Sequence, residues 1–346
     1  MTEKESSHRP FFFIIGRPRS GTSLLMAMLD ANPHIIIPPE IPIIPLLGQK
    51  YQKVREWNTL LLEEFYKDLI QLHFEDFYNF NDLSFDQHKI KEEIISQEKN
   101  TTFADLIKIV YSNYLSAFPK KEIKLLGDKN PAYSKYAPYY LKLFPEAKFI
   151  HIRRDYRDHA LSMLRAGFGI KHLAFIAERW KYSMKITLDF KKLYPDKTLM
   201  IKFEDLLHDP EKELEQICQF LSVPFYKELM LQVNHENLGS LYPDHIMTEY
   251  QSSLMQPLSS EKVGLWKTIM TEKQVRLCDF MVGKYAELAG YSKKYSGFYF
   301  KGSFIKSLIC IRKSLLFLIT KSLFFLPYRI KYTLRKRFSI LKKLMT

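Results

Sequence analysis

No acidic residue follows Glu287 in this chain, whereas fourteen of its 52 Lys and Arg do. The 38 basic residues before that point equal the 38 acidic ones, so the net charge of +14 belongs wholly to the C-terminal segment. That location argues against a nucleic-acid-binding body. Cysteine is scarce too: Cys218, Cys278 and Cys310 are scattered and form no C-x-x-C pair. The ten histidines show no H-x-x-x-H or comparable ligand spacing. Both absences exclude a disulfide framework and a zinc site, and point to a reducing compartment. The first ten residues, MTEKESSHRP, are polar, and neither a signal peptide nor a membrane anchor fits into them. A cytoplasmic protein is expected.

What is present is globular. Hydrophobic residues make up 46% of the 346 and charged ones 26%, enough to bury a large core. Strand-like runs alternate with helical patterns along the chain. Strands are read at Phe11–Ile15, Ile35–Ile37, Ile123–Gly127, Lys148–Ile152 and Thr198–Phe203. Helices are read after Gly21, from Thr102, at Tyr136–Phe144, from Asp155 to Arg165, at Lys171–Leu193, at Glu211–Leu221 and at Thr271–Leu288. Four prolines in IIIPPEIPIIPLL, residues 35–47, predict a short strand followed by extended chain. Residues 50–100 read as two or three inserted helices. Such alternation implies a three-layer α/β fold around a mainly parallel sheet.

The chain is organised around FFFIIGRPRSGTSLLMAMLDANPHIIIPPE, Phe11 to Glu40. A buried strand runs into a glycine-bounded loop and then a helix N-terminus, an order that presents backbone N–H groups to an anion. Gly16 and Gly21 have the spacing of the phosphate loop G-x-x-x-x-G-K-[ST], but Thr22 stands at the lysine position. The loop's cations are instead Arg17 and Arg19, which disfavours a metal-bound nucleoside triphosphate.

GRPRSGTSLL, followed by LDANP and a Glu, resembles the 5′-phosphosulfate loop of sulfotransferases that use 3′-phosphoadenosine 5′-phosphosulfate (PAPS), in the branch containing tyrosylprotein and bacterial sulfotransferases. FIHIRRDYRDHALSML, Phe149 to Leu164, resembles that family's 3′-phosphate site. GDKNP, IKFEDLLHDP and QPLSSEKVGLW are similar, in order, to three lesser motifs, with Asn130 and Phe203 standing where Thr and Tyr are usual. The resemblance implies a P-loop sulfotransferase fold over residues 8–292, with residues 45–100 shaping the acceptor pocket. It implies that Arg17, Arg19, Ser20, Gly21, Thr22, Ser23, Arg154, Ser162 and Ser260 bind the nucleotide. Glu40 is the candidate general base, with Arg19 and Lys129 stabilising charge on the bridging oxygen. His34 and His151 are fallback bases, and the Glu204–Asp205 pair is read as a helix cap. No metal is implied. Independently of the family, an arginine at a strand's C-terminal end points into the crevice where open α/β sheets bind ligands, and its planar fork suits phosphate.

The expected activity is sulfuryl transfer from PAPS to a hydroxyl or amine of a small-molecule, glycan or lipid acceptor. The rivals are a P-loop kinase and a non-catalytic protein on the same frame. In the tail, residues 297–346, Lys306, Lys313, Lys321, Arg329, Lys336 and Lys343 recur every seven or eight residues, with Pro327 interrupting. Two helical turns take about 7.2 residues, so each half carries a basic stripe beside Phe, Leu and Ile. Its longest uncharged run is seven residues, and Arg312 and Lys313 at mid-bilayer would cost about 2.5–3.5 kcal/mol each. The pattern predicts helices lying on an anionic membrane, on its inner face. Packing on the domain or a homodimer is the other reading; a nucleic-acid partner is not expected.

Overall fold

The computed structural model describes residues 9–74, 78–97, 100–166, 169, 171–233, 259–297, 299–305 and 307–309. Within them the chain divides into two compact units. The first takes residues up to Arg154 together with 186–260, and the second takes 155–185 and the residues from Glu261 onward.

The first unit is built on a five-stranded, wholly parallel sheet of order β2-β5-β1-β6-β7. Its strands are β1 (Phe11–Gly16), β2 (Ile35–Ile36), β5 (Leu125–Lys129), β6 (Lys148–Arg153) and β7 (Thr198–Lys202). β1 is central, and Phe11 to Ile15 are all at most 1% exposed, as a strand covered by helices on both faces requires. Phe11 meets Phe144 at 4.5 Å and Tyr111 edge-on at 5.1 Å, while Phe13 stacks on Tyr140 and Phe149. The helices are α1 (Thr22–Asp30), α2 (Ile43–Tyr51), α3 (Thr59–Ile70), α4 (Gln87–Ile95), α5 (Phe103–Ser112) and α6 (Ala137–Leu143), followed by α9 (Phe203–His208), α10 (Pro210–Leu221) and α11 (Lys227–Leu231). A hairpin, β3 (His73–Phe74) with β4 (Tyr78–Asn79), sits in the insertion that the sequence reads as helices alone.

Two expectations are corrected. Ile43–Tyr51 is a helix, not extended chain. Pro42 is its N-cap and Pro45 lies in its first turn, where a missing N–H costs nothing. In the second unit, the helix expected over Thr271–Leu288 is two, α13 (Glu272–Val282) and α14 (Tyr285–Leu288). They are separated by Gly283, whose φ of 58° leaves the helical region.

The second unit also holds α7 (Tyr156–Arg165), the first two-thirds of α8 (Leu173–Leu193), which ends in the first unit, and α12 (Trp266–Ile269). Asp279 is its knot: wholly buried, it accepts from the Tyr156 hydroxyl at 2.5 Å and from the backbone N–H groups of Lys294 and Tyr295. Residues 300–305 and 307–309 are helical. Gly302 lets that segment close on Phe280 of α13, since a Cβ there would lie 2.6 Å from the ring. Ile309 is buried, while Phe300, Phe304 and Leu308 are exposed. The rest of the tail, from Cys310, lies outside the described residues. Among the described residues, no helix is long and apolar enough to cross a membrane, and Cys218 and Cys278 are both free thiols, buried.

Candidate active site

The loop after β1 is shaped for an anion. Gly16 is obligatory because a Cβ there would come within 2.5 Å of the Ile152 carbonyl, and Gly21 because it turns at φ 90° with Phe203 directly beneath it. Between them a turn closes from Ser20 N–H to the Arg17 carbonyl, and Arg19 takes φ 66°, rare for a residue with a side chain. α1 begins at Thr22 with no side-chain cap on its N-terminus, so its first N–H groups face the loop unclaimed by a capping side chain. The Ser20 hydroxyl is buried and closes no hydrogen bond. Ser23 occupies the next position of the same helical turn.

Arg154 follows the last residue of β6, and its Nη1 donates to the Arg19 carbonyl at 3.3 Å while its guanidinium lies over the Phe203 ring. Burial first, and then the positive charge of Arg154, push the Arg19 guanidinium below its ordinary pKa. A half-buried Arg19 whose charge is disfavoured by the buried Arg154 beside it, next to a helix N-terminus without a side-chain cap, suits an anion. The loop thus fits an anionic group such as the 5′ end of PAPS.

Glu40 and Lys129 meet at the end of the sheet: Lys129 Nζ donates to Glu40 Oε2 at 2.8 Å, with the lysine buried and the carboxylate one-fifth exposed. β2 and β5 pair in parallel with Ile36 opposite Leu126, so chain leaving both strands in the same direction brings Glu40 and Lys129 together. LDANP secures this geometry, a role the sequence reading did not assign. The buried Asp30 carboxylate accepts from Ile37 N–H at 3.1 Å, from the Ser116 hydroxyl at 2.6 Å and from Lys120 Nζ at 3.0 Å. The Asn32 side chain takes the His34 N–H and gives one of its own to the Pro224 carbonyl. A clamp spanning 86 to 90 residues leaves no local signal in sequence.

His34 has both ring nitrogens engaged, by the Glu122 carbonyl and the Tyr226 hydroxyl. His151 is fully buried in β6, and desolvation lowers its pKa to about 3, so its ring is neutral. Glu204 and Asp205 open α9 in its first turn.

The first unit therefore gathers Arg17, Arg19, Ser20, Gly21, Thr22, Ser23, Glu40, Lys129 and Arg154 at the C-terminal ends of β1, β5 and β6. Ser260 opens a 3₁₀ turn, Ser260–Lys262, at the unit's last residue. Ser162 belongs to the second unit, on α7. That unit holds a device the sequence reading missed. Asp158 accepts from Gly264 N–H at 2.6 Å and Trp266 N–H at 2.9 Å. Arg157 lies over the Trp266 ring at 3.6 Å, is gripped by both oxygens of Asp155 and donates to the Ser292 carbonyl. So two charges of RRDYRD are braces that join its helix to the VGLW segment, rather than solvated caps. Among the described residues no group of His, Cys, Asp or Glu is placed to hold a metal.

Comparison with known proteins agrees with this architecture. The chain is 27% identical over 239 residues to protein-tyrosine sulfotransferase A of Caenorhabditis elegans, covering 66% of this chain and 53% of that one. It is 26% identical over 266 residues to protein-tyrosine sulfotransferase 1 of Danio rerio, covering 74% and 65% respectively. The chain thus spans about half to two-thirds of the length of these relatives. In fold it is similar to the sulfotransferase domain of the Synechococcus PCC 7002 olefin synthase, with TM-score 0.56 and 23% identity over 82% of this chain and 95% of that domain. The sulfotransferase domain of the curacin biosynthetic pathway aligns with TM-score 0.54, 23% identity and coverage of 82% and 98%. The profile described as "Sulfotransferase family" matches residues 10–228, well over half of the chain, and with the strand-ordered site just built it makes this chain a member of the sulfotransferase family.

Proposed function

We propose that the chain is a PAPS-dependent sulfotransferase whose catalytic region extends over residues 8–292. The observation that carries the reading is the Glu40–Lys129 pair together with a loop whose half-buried Arg19 lies against the buried Arg154. PAPS supplies an activated sulfuryl group, and every other part of the reaction falls to protein side chains. Arg19, Ser20 and the N–H groups at the start of α1 hold the 5′ end, while Arg154 holds the 3′-phosphate. Glu40 takes the proton of the acceptor hydroxyl as its oxygen attacks sulfur. Glu40 is then neutral, and Lys129, no longer paired to a carboxylate, turns with Arg19 to the oxygen that leaves. No metal is needed, because a sulfuryl group carries less charge than a terminal phosphoryl.

The acceptor is a hydroxyl or amine, on a small molecule, a glycan or a lipid met at an anionic membrane surface. The basic stripe of the tail supports that location, and so does the exposed row of Phe300, Phe304 and Leu308 at the tail's start. On this reading the enzyme works at the cytoplasmic face of a membrane. A second acceptor class, tyrosine in a protein, is favoured by the names of the relatives above.

Calorimetry with 3′-phosphoadenosine 5′-phosphate (PAP), followed by transfer assays with labelled PAPS against hydroxylated lipids, glycans and tyrosine peptides, tests the reading. PAP binding and label transfer to one class are expected. A protein that ignores PAP but binds ATP with Mg²⁺ is a kinase instead. PAP binding with no transfer to any class leaves a non-catalytic protein on this frame.

A further inference from the structure

Asp128 lies beside the catalytic pair in sequence but on the other face of β5, because successive strand residues alternate. It pairs with Phe13 in register and is 1% exposed. The face it enters is lined by aromatic rings: Phe13 stacks on Tyr140 at 4.9 Å, and Phe11 meets Tyr111 at 5.1 Å. The Tyr111 hydroxyl, from α5, faces the carboxyl, and Tyr140, from α6, acts in turn on Tyr111. The charges that reach Asp128 are Glu40, which opposes its ionisation, and Lys129, which favours it. The Tyr111 hydroxyl faces the carboxyl without the geometry of a full hydrogen bond, and its pull toward the ionised form is outweighed by burial. A buried carboxylate so poorly compensated favours a proton. Burial foremost raises its pKa to about 7, within reach of small changes in local charge.

We propose that Asp128 is a proton-exchanging positioning residue of the donor site, taking up a proton from solvent when the anionic nucleotide settles beside Lys129. This rests on the reading above that the nucleotide's 5′ end lies between the Gly16–Ser23 loop and Lys129. Two effects act in the same direction. The nucleotide adds negative charge near Asp128, and it draws on the Lys129 charge that otherwise favours the ionised carboxyl. With Asp128 neutral, Lys129 keeps its pairing with the Glu40 carboxylate. Donor binding is thereby coupled to pH through a residue that touches neither nucleotide nor acceptor.

Calorimetry of PAP binding in two buffers of different ionisation enthalpy, for the wild type and Asp128→Asn, measures the proton directly. Asparagine keeps the shape of the neutral acid and cannot take a proton. At about pH 7.5 the wild type should take up a fraction of a proton more per PAP than the variant, and this difference should vanish near pH 5.5, where Asp128 is already protonated. Proton changes on the PAP phosphates are common to both proteins and cancel. Infrared difference spectra of the wild type at about pH 7.5 give a reading independent of the variant's folding: the band of a protonated, buried carboxyl should grow on adding PAP. Equal uptake by both proteins, or no growth of that band, overturns the role of Asp128 and leaves the donor reading intact. Failure of PAP to bind at all overturns both.

Discussion

Lys129 Nζ stands 2.8 Å from Glu40 Oε2, across 89 residues of chain. The pairing follows from strand register: β2 and β5 leave the sheet side by side, and the Asp30 clamp holds the segment that carries Glu40. Replacing Glu40 by Gln keeps the shape and removes the proposed base. Turnover should fall by about 10²–10⁴ with PAP affinity preserved. Steady-state kinetics with calorimetry checks this, and near-normal turnover would assign the proton to another group.

Arg154→Ala and Arg19→Ala should each weaken PAP binding by about 1.5–3 kcal/mol, the value of a hydrogen bond to a charged group. Arg19→Gly separates backbone from charge. With φ at 66°, glycine should stabilise the fold by about 1 kcal/mol while losing as much affinity as alanine. Thermal denaturation beside calorimetry reads both effects, and unimpaired binding by either Arg19 variant would remove it from the donor site.

Asp128 also sets a pH dependence of stability. Its carboxyl titrates near 3.8 in free chain and at about 7 in the fold, raised mainly by burial. Between those values the folded protein keeps a proton that the unfolded chain has lost. This contribution is whole below about pH 4 and is lost as pH rises through about 7. Asp128→Asn should therefore match the wild type at about pH 4 and exceed it in Tm above about pH 7. A difference in Tm that does not change with pH would refute this.

The tail carries the remaining prediction. Each Lys or Arg near an anionic surface is worth about 1 kcal/mol at physiological salt. The full chain should float with vesicles containing phosphatidylserine, and less so at high salt. The triple variant Phe300→Ser, Phe304→Ser, Leu308→Ser should float less, since its exposed apolar row is gone. A wild type that stays at the bottom with every lipid makes the tail a packing or dimer element.

Where signals were local, they were legible. Thr102 caps α5 through a reciprocal bond with Asp105, Pro210 begins α10, and Phe11 to Ile15 form the central strand. Proline density conceals the helix Ile43–Tyr51, because prolines at the N-cap and in the first turn leave no backbone bond unmade. The β3–β4 hairpin, two residues on each strand, is too short for any periodicity to appear.

By itself the sequence determined the glycine-bounded loop after β1, the chain order of the five sheet strands, and the segregation of positive charge beyond Glu287, because spacing, caps and composition are properties of neighbouring residues. Only the tertiary structure decided what each carboxylate meets. Glu40 meets a buried lysine, Glu204 and Asp205 open a helix as their spacing suggests, and Asp128 turns into an aromatic compartment on the far side of the same strand as that lysine. Parallel pairing joins strands far apart in the chain, and strand alternation sends adjacent residues to opposite faces, so the surroundings of Glu40 and Asp128 are set by register rather than by their neighbours in sequence.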